Sequence, residues 1–397
     1  MSIIHEPDRM LNVESEWDVL VAGGGFAGIS AALAAAREGS RVCLIEREWL
    51  LGGLGTLGLI SIFLPLCDGE GHQVIAGVGE EWMRLALRDA TPNPNVPFPA
   101  PWLSDDSPAG RSHVRFQAEY NPWTFALRAE DLLNKSGVAI RYGVQLCNTV
   151  VQGSQMTHVI VEDKGGRFAL AGKAFVDATG DADLCRFAGL PTEIYRPGNR
   201  IASWYGLCDQ GSYRLKMVGA CDVADAQEYG LPEEKRYNGL DGLELNQLIQ
   251  RSHEIVLSKV DGAGSALASL PAIPQIRMTR RLVGQVTLGD SSHQIQSDSI
   301  GMTGNWRKRG PIYELPLGIL RNDAISNLFA AGRCVSVTDE MWDITRVIPA
   351  CTVTGQAAGI AASLSASKGT LQIPLLQTCL RRQGVLLHQS EIKCNAR

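Results

Sequence analysis

The chain lacks a strong charge of either sign. Its 37 Lys and Arg stand against 42 Asp and Glu, a formal net charge of −5, and the cations are scattered over 397 residues. A broad phosphate-binding surface needs clustered cations, so nucleic acid is not an expected partner. Long apolar runs are missing too. Met1 to Trp17 intersperses His5, Glu6, Asp8, Arg9, Glu14 and Glu16 among short apolar groups, which leaves no uninterrupted core for a signal peptide. The most apolar helix candidate, Ala27 to Ala36, is about half the ~20 residues a bilayer span requires. The expectation is a cytoplasmic protein with no membrane partner. The 10 cysteines run from Cys43 to Cys394 with no C-x-x-C spacing, which removes zinc and dithiol motifs and leaves no expected metal site.

What is present is ample apolar material, 45% of the residues, enough to bury a large core in two or three domains. Asp18 to Ala22 (DVLVA) is an apolar run of the kind buried in a parallel sheet, and it leads into Gly23, Gly24, Gly25, Phe26, Ala27, Gly28. This is G-x-G-x-x-G between a strand and an Ala-rich helix, Ile29 to Glu38, closed by Gly39. Gly23 permits the tight turn, Gly25 lets the backbone approach a pyrophosphate, and Gly28 lets helix and strand pack closely. The helix N-terminus then presents unpaired N–H groups to the anion.

A second strand, Arg41 to Ile45, ends in Glu46, placed to accept hydrogen bonds from ribose hydroxyls. Arg47 follows and would suit a 2′-phosphate, but the Glu46 carboxylate would repel one. A ribose with free hydroxyls fits better. The fingerprint alone serves NAD or FAD equally well.

Later segments separate the two. A second glycine cluster, Gly52, Gly53, Leu54, Gly55, Thr56, directly follows the ribose-binding acid. Lys173 to Gly180 (KAFVDATG) and Asn327 to Arg333 (NLFAAGR) resemble the flavoprotein segments that return to the same nucleotide and bring a last strand and loop beneath the flavin. Pro349 precedes a small-residue helix, Ala350 to Ala362, whose N-terminus would stabilise negative charge on a reduced flavin. Arg346 would add its charge there or grip a substrate carboxylate.

With DVLVAGGGFAGISAALAAAREGSRVCLIER, LGGLGT, QVIAGVGEEW from Gln73, VDATGDADL from Val176, RMTRRLVG from Arg277 and NLFAAGRCVSVTDEMWDITRVIPACTVTGQAAGIAA from Asn327, the chain resembles the FAD-dependent oxidoreductase family. That family belongs to the glutathione-reductase-like superfamily and is related to the fumarate reductase flavoproteins. The resemblance implies FAD as cofactor, with Gly23, Gly25, Phe26, Ala27, Gly28, Glu46, Arg47, Gly52, Gly53, Thr56, Thr179, Gly180, Asp181, Gly332, Arg333, Gly355 and Gln356 around it and the main chain near Leu146 against adenine. It also implies an α/β fold: a Rossmann-like FAD-binding domain, its parallel sheet extended by an antiparallel β-meander, with an inserted α+β substrate domain.

The expected division is FAD-binding segments at 1–90, 131–185 and 311–397, a Pro-rich loop and connector at 91–130, and a substrate domain at 186–310. Thr91 to Pro108 holds six prolines and reads as a loop over the surface or the active-site mouth. Val138 to Leu146 reads as one strand, followed by a hairpin around Gly165 and Gly166, and Glu233 to Lys259 as a helix.

Flavin chemistry moves hydride between a substrate carbon and N5 while a base handles a proton, or reduces a double bond in reverse. His72, Asp339 and Glu340 join Arg346 as catalytic candidates. Arg280, Arg281, His293 and Trp306 are further polar or aromatic groups outside the nucleotide core. Cys334 and Cys351 flank the expected flavin loop, and a redox pair would need their Cα atoms within ~7 Å. No second fingerprint follows, since Gly262 and Gly264 lack a preceding strand and a third glycine. Electrons would therefore pass to oxygen, a carrier protein or a transient small molecule. Rival readings are a flavin monooxygenase or halogenase, although the halogenase W-x-W-x-I-P string is missing, and a non-catalytic flavin-binding protein. Oligomeric state stays open, a homo-oligomer included.

Overall fold

A computed structural model describes residues 3–6, 8–90, 118–209, 211–219, 235–261 and 266–392. The Pro-rich loop expected at 91–108, Gly262 and Gly264 lie outside the described residues.

The apolar run after Trp17 forms the end of β1 (Val13–Ala22), whose last four residues are buried, as a central parallel strand requires. Helix α1 (Phe26–Arg37) follows after three glycines and is buried from Phe26 to Ala35. It stops before Gly39, which takes φ +86°. β2 (Val42–Ile45) then pairs in parallel with β1, Val19 opposite Val42 and Ala22 opposite Ile45.

A short antiparallel pair, β3 (Ile62–Phe63) and β4 (Ala118–Glu119), accompanies two helices, α2 (Val78–Leu87) and α3 (Pro122–Lys135). Asn121 caps α3 by accepting from the Trp123 and Thr124 N–H groups, and Pro122 sits in the first turn, where its missing N–H costs nothing.

The segment Val138 to Leu146, read from sequence as one strand, is two. β5 (Ala139–Arg141) continues the parallel sheet beside β2, and β6 (Gln145–Gln152) opens the meander. Gly143 at φ +66° breaks the extended run between them. β7 (Gln155–Asp163) and β8 (Gly166–Asp177) complete the meander, with the expected turn before Gly166.

The second half of β8 runs parallel to β1, and β16 (Leu328–Ala330) joins its other edge, Leu328 opposite Phe175 and Ala330 opposite Asp177. Through the parallel region the order is β5, β2, β1, β8, β16.

Between β8 and β16 the described chain forms α4 (Asp183–Phe187), β9 (Thr192–Ile194), β10 (Trp204–Asp209), β11 (Ser212–Met217), α5 (Gly242–Val260), β12 (Ala266–Ser269), β13 (Arg280–Leu282), β14 (Ser299–Gly304) and β15 (Ile312–Pro316). β11, β10 and β12 make a small antiparallel sheet with β10 central. α5 starts at Gly242, later than its sequence pattern suggests, because Asp241 caps it through the Glu244 N–H at 2.8 Å.

The chain closes with α6 (Asp339–Thr345), α7 (Ile348–Lys368) and α8 (Ile373–Arg382). α7 is buried from Pro349 to Leu364 and packs on α1 through glycines: a Cβ on Gly355 would lie 2.2 Å from the Ala27 carbonyl oxygen. Among the described residues no single helix is long and apolar enough to cross a membrane.

Candidate cofactor-binding site

The carboxyl ends of β2, β1, β8 and β16 lie side by side, and the loops leaving them wall one cleft. After β1 the backbone must reverse into α1 within three residues. Gly23 does so at φ +99°, its N–H donating to the Ile45 carbonyl at 2.9 Å, and a side chain there would strike the Ala178 carbonyl oxygen at 2.4 Å. A Cβ on Gly28 would meet the Gly23 carbonyl oxygen at 1.8 Å. The first and third glycines are thus filled by protein. At Gly25 no atom lies within 4 Å of where a Cβ would be. Gly25 is also the N-cap of α1, with no side chain capping the first turn and no acid in it. Uncapped N–H groups beside open space are what an anion needs.

Glu46 lies at the end of β2, buried. Its Oε2 accepts from the Gly24 N–H at 2.5 Å and its Oε1 from the Glu48 N–H at 2.9 Å. Burial pushes its carboxyl above the usual value, against these two hydrogen bonds. The Gly52 N–H donates to the Gly24 carbonyl at 2.8 Å, so the second glycine cluster is tied directly to the first. Gly52 to Gly55, Val144 to Leu146, and Arg47 and Glu48 line this side of the cleft.

Beyond β8 the wall is Ala178 to Asp181 and Asp183. Asp177, fully buried, fixes that turn by accepting from the Thr179 hydroxyl at 2.7 Å and the Cys185 N–H at 2.8 Å. Burial, with the like charges of Asp181 and Asp177, lifts the Asp183 carboxyl from 3.8 to about 6, opposed by its Arg280 partner. Asp181 accepts from the Thr279 hydroxyl at 2.6 Å. After β16 come Ala331, Gly332 and Arg333, and Arg333 Nη1 donates to the carbonyls of Ile276 (2.6 Å) and Arg277 (3.0 Å). Arg346, Ile348 and Cys351 at the start of α7 complete this side. Arg346 Nη2 donates to Asp343 Oδ1 at 2.5 Å, and its guanidinium lies 5.9 Å from the Trp306 ring centroid.

Of the cofactor residues expected from sequence, Gly23, Gly25, Phe26, Ala27, Glu46, Arg47, Gly52, Gly53, Leu146, Thr179, Gly180, Asp181, Gly332 and Arg333 line this cleft. Gly28 and Gly355 stand behind it as helix contacts. Thr56 is buried with its hydroxyl on the Leu51 carbonyl at 2.6 Å. Gln356 accepts from the Val78 N–H at 3.1 Å and reaches the Gln383 carbonyl at 3.3 Å, away from the cleft lining.

Of the catalytic candidates only Arg346 lines the cleft. His72 pairs with the buried Asp68 at 2.7 Å, and Asp339 takes a hydrogen bond from Arg281 Nη1 at 2.6 Å. Glu340 occupies the first turn of α6, where its own N–H and the Thr338 side chain hold its carboxyl below the usual value. Cys334 and Cys351 are both free thiols. Cys334 accepts from the Ala182 N–H at 3.3 Å, whereas Cys351 donates to the Arg346 carbonyl at 3.2 Å. Burial pushes the Cys351 thiol up to about 12 and raises that of Cys334 as well.

The cleft also has a wall that the sequence reading missed, made by Gly239, Leu245, Ile273, Pro274 and Ile276. The string PAIPQI from Pro271 carries a signal for it, since a residue before proline favours the extended backbone that such a wall uses.

A family model for FAD dependent oxidoreductases matches residues 18–203 and 242–380. No curated protein matches the chain in sequence. Solved structures with similarity include a geranylgeranyl bacteriochlorophyll reductase-like protein from Thermoplasma acidophilum, 12% identical over 93% of this chain and 83% of that one, TM-score 0.46. Another is p-nitrophenol 4-monooxygenase from Pseudomonas putida DLL-E4, 12% identical over 93% and 84%, TM-score 0.46. A third is the myxobacterial chondrochloren halogenase, 16% identical over 93% and 79%, TM-score 0.44.

Proposed function

The chain belongs to the FAD-dependent oxidoreductase family, and from that premise we propose that it transfers hydride between a small organic substrate and N5 of FAD, as a dehydrogenase or oxidase. The observation that carries the reading is the single cleft along β2, β1, β8 and β16, open at Gly25 and walled by Glu46 on one side and Arg346 on the other. FAD bound there supplies a two-electron centre.

The residues around it divide the work. The uncapped first turn of α1 holds the pyrophosphate. Glu46, with one backbone hydrogen bond on each oxygen, keeps acceptor capacity for ribose hydroxyls. The main chain at Val144 to Leu146, which lines the cleft beside Glu46, would border the adenine. Arg333 and Arg346 bring positive charge to the far side of the cleft, where it favours an anionic substrate or the reduced cofactor. Ile273, Pro274 and Ile276 give the cleft an apolar wall that would help keep water from the reacting centre. Residues 186–310 serve as the substrate domain in this reading.

Anaerobic mixing of the purified FAD-loaded protein with pooled small metabolites tests it. The expected result is bleaching of the visible flavin band by one substrate class without added nicotinamide. Reduction only by a nicotinamide cofactor, followed by oxygen insertion into or halogenation of a substrate, would replace the proposal with the monooxygenase or halogenase reading. A protein that takes up FAD and is reduced by nothing is a flavin-binding protein. Reoxidising the bleached protein with oxygen, a carrier protein or a small quinone identifies the acceptor.

A further inference from the structure

Arg346 enters the cleft lining from the junction of α6 and α7, and part of what holds it comes from a distant hairpin. Its Nη2 donates to Asp343 Oδ1, while the other oxygen of that carboxylate, Oδ2, accepts from Arg307 Nε. Arg307 belongs to the turn between β14 and β15. Asn305 builds that turn: its Oδ1 accepts from the Arg307 and Lys308 N–H groups at 2.9 Å each, and its Nδ2 donates to the Tyr313 hydroxyl at 3.2 Å. The Trp306 ring serves both cations, its centroid 4.2 Å from the Arg307 guanidinium and 5.9 Å from that of Arg346.

One carboxylate shared by two guanidiniums leaves one positive charge uncancelled within the triad. The side chains of Arg307, Asp343 and Arg346 are only 21, 17 and 10% exposed, so water screens them less than it would a surface pair. Arg346 lines the cleft; Arg307 and Asp343 do not. The Arg346 charge is felt at the cleft wall, where it works against the burial that raises the Cys351 thiol.

Arg307 is not needed to anchor α6. Arg281 Nη1 donates to Asp339 at 2.6 Å at the start of that helix, Trp342 Nε1 donates to the Arg333 carbonyl at 2.9 Å, and Trp306 Nε1 donates to the Asp343 carbonyl at 2.9 Å. What Arg307 adds to these neutral and ionic ties is a second positive charge on Asp343. With that charge removed, the Asp343 carboxylate would be left to neutralise Arg346 alone.

On the reading that Arg346 serves the flavin, we propose that Arg307 and Asp343 are its positioning residues, with Arg307 occupying half of the Asp343 carboxylate so that a net positive charge is kept toward the cofactor. Positive charge favours the reduced flavin. Arg307 therefore raises the reduction potential and Asp343 lowers it, although neither touches the cofactor.

Anaerobic equilibration of the FAD-loaded protein with a reference redox dye measures that potential without any substrate. Arg307→Gln keeps a hydrogen-bond donor for Asp343 but no charge, and its potential is expected to fall below that of the wild type. Asp343→Asn keeps an acceptor for Arg346 but no negative charge, and its potential is expected to rise. Arg307→Lys is expected to recover most of the wild-type value. A purely structural loosening of α6 would move both variants in the same direction, so shifts of opposite sign distinguish the two roles.

Shifts of the same sign, no shift in either variant, or an Arg307→Lys protein that behaves like Arg307→Gln would overturn the proposal. Should Asp343→Asn fail to fold, the Arg307 pair decides: a fall in Arg307→Gln that Lys restores upholds it, and no fall overturns it. Arg346→Met separates this failure from that of its premise. An unchanged potential in Arg346→Met means that Arg346 does not serve the flavin, and the proposal falls with it. A lowered potential there, with no divergence between the Arg307 and Asp343 variants, removes the positioning pair alone.

Discussion

Gly359 of α7 lies against Ala31 of α1 so closely that a methyl group on Gly359 would sit 2.1 Å from the Ala31 carbonyl oxygen. The obstacle is helix backbone, which cannot rotate aside as a side chain can. Gly359→Ala should therefore push the two helices apart and cost ~2–3 kcal/mol, the upper part of the range for overpacked cores. Urea unfolding of the FAD-loaded protein measures it, and an unchanged midpoint would mean that the helices tolerate a wider separation.

Glu46 is expected to contribute to cofactor retention through position as much as charge. Its carboxylate orders the Gly24 and Glu48 N–H groups, and so the turn that faces the pyrophosphate. Glu46→Ala leaves both donors without their acceptor. FAD affinity, followed by recovery of flavin fluorescence on dilution, should fall ~10-fold or more, equivalent to ~1.4 kcal/mol. Equal affinity in the variant would separate this acid from the ribose.

Although it is paired with Arg280, Asp183 gives the protein a pH dependence opposite to that of an acid whose ion pair outweighs its burial. Its carboxyl is raised to about 6 in the fold by burial and by Asp181 and Asp177. The folded state thus binds the proton more tightly than the unfolded chain. The associated stability is fully present below 3.8 and is lost as pH rises through about 6. Asp183→Asn should flatten the melting profile over that window. A residual slope of the same sign is expected from Glu46, which burial also raises.

Cys334 and Cys351 are expected to be silent in the redox chemistry. Both thiols are raised by burial, and each is engaged with different partners. Reductive titration should consume the equivalents of a flavin alone, and the double Ser variant should take up the same amount. Uptake of a further pair by the wild type only would restore a cysteine pair.

Arg346 is held by Asp343 and the Trp306 ring while lining the cleft. Arg346→Met should lower the flavin reduction potential and slow substrate reduction ~100-fold, as loss of a charged stabilising group does. Arg346→Lys should recover part of the rate, since charge is kept and the planar contact is lost.

The cofactor half of this site was legible because its signals are local. A strand, three glycines, an Ala-rich helix and an acid after the next strand stand within about thirty residues, each with its own steric or electrostatic reason. The tail end of β8 and β16 were placed by the resemblance of KAFVDATG and NLFAAGR to flavoprotein segments rather than by a local physical signal. The split at Gly143 was missed because a run of extended residues does not announce which neighbours it will pair with. The catalytic candidates His72, Asp339 and Glu340 were chosen by residue type and position. Their partners Asp68, Arg281 and the first turn of α6 are tertiary or capping facts that type alone does not reveal. The wall at Ile273 to Ile276 depends on contacts with Arg333, distant in sequence, and carries no periodic pattern.

The order of strands across the sheet sets a timetable for the newborn chain. β1 and β2 leave the ribosome early, yet the turn after β8 comes some 130 residues later and β16 and the start of α7 later still. The cleft lacks its last wall until Cys351 has been released. An emerging N-terminal half therefore holds a nucleotide fingerprint with one side exposed, including the buried face of α1 that α7 will cover. Enclosure of FAD therefore waits for α7, and a chain truncated before α7 is a candidate for chaperones and proteases rather than a half-functional flavoprotein.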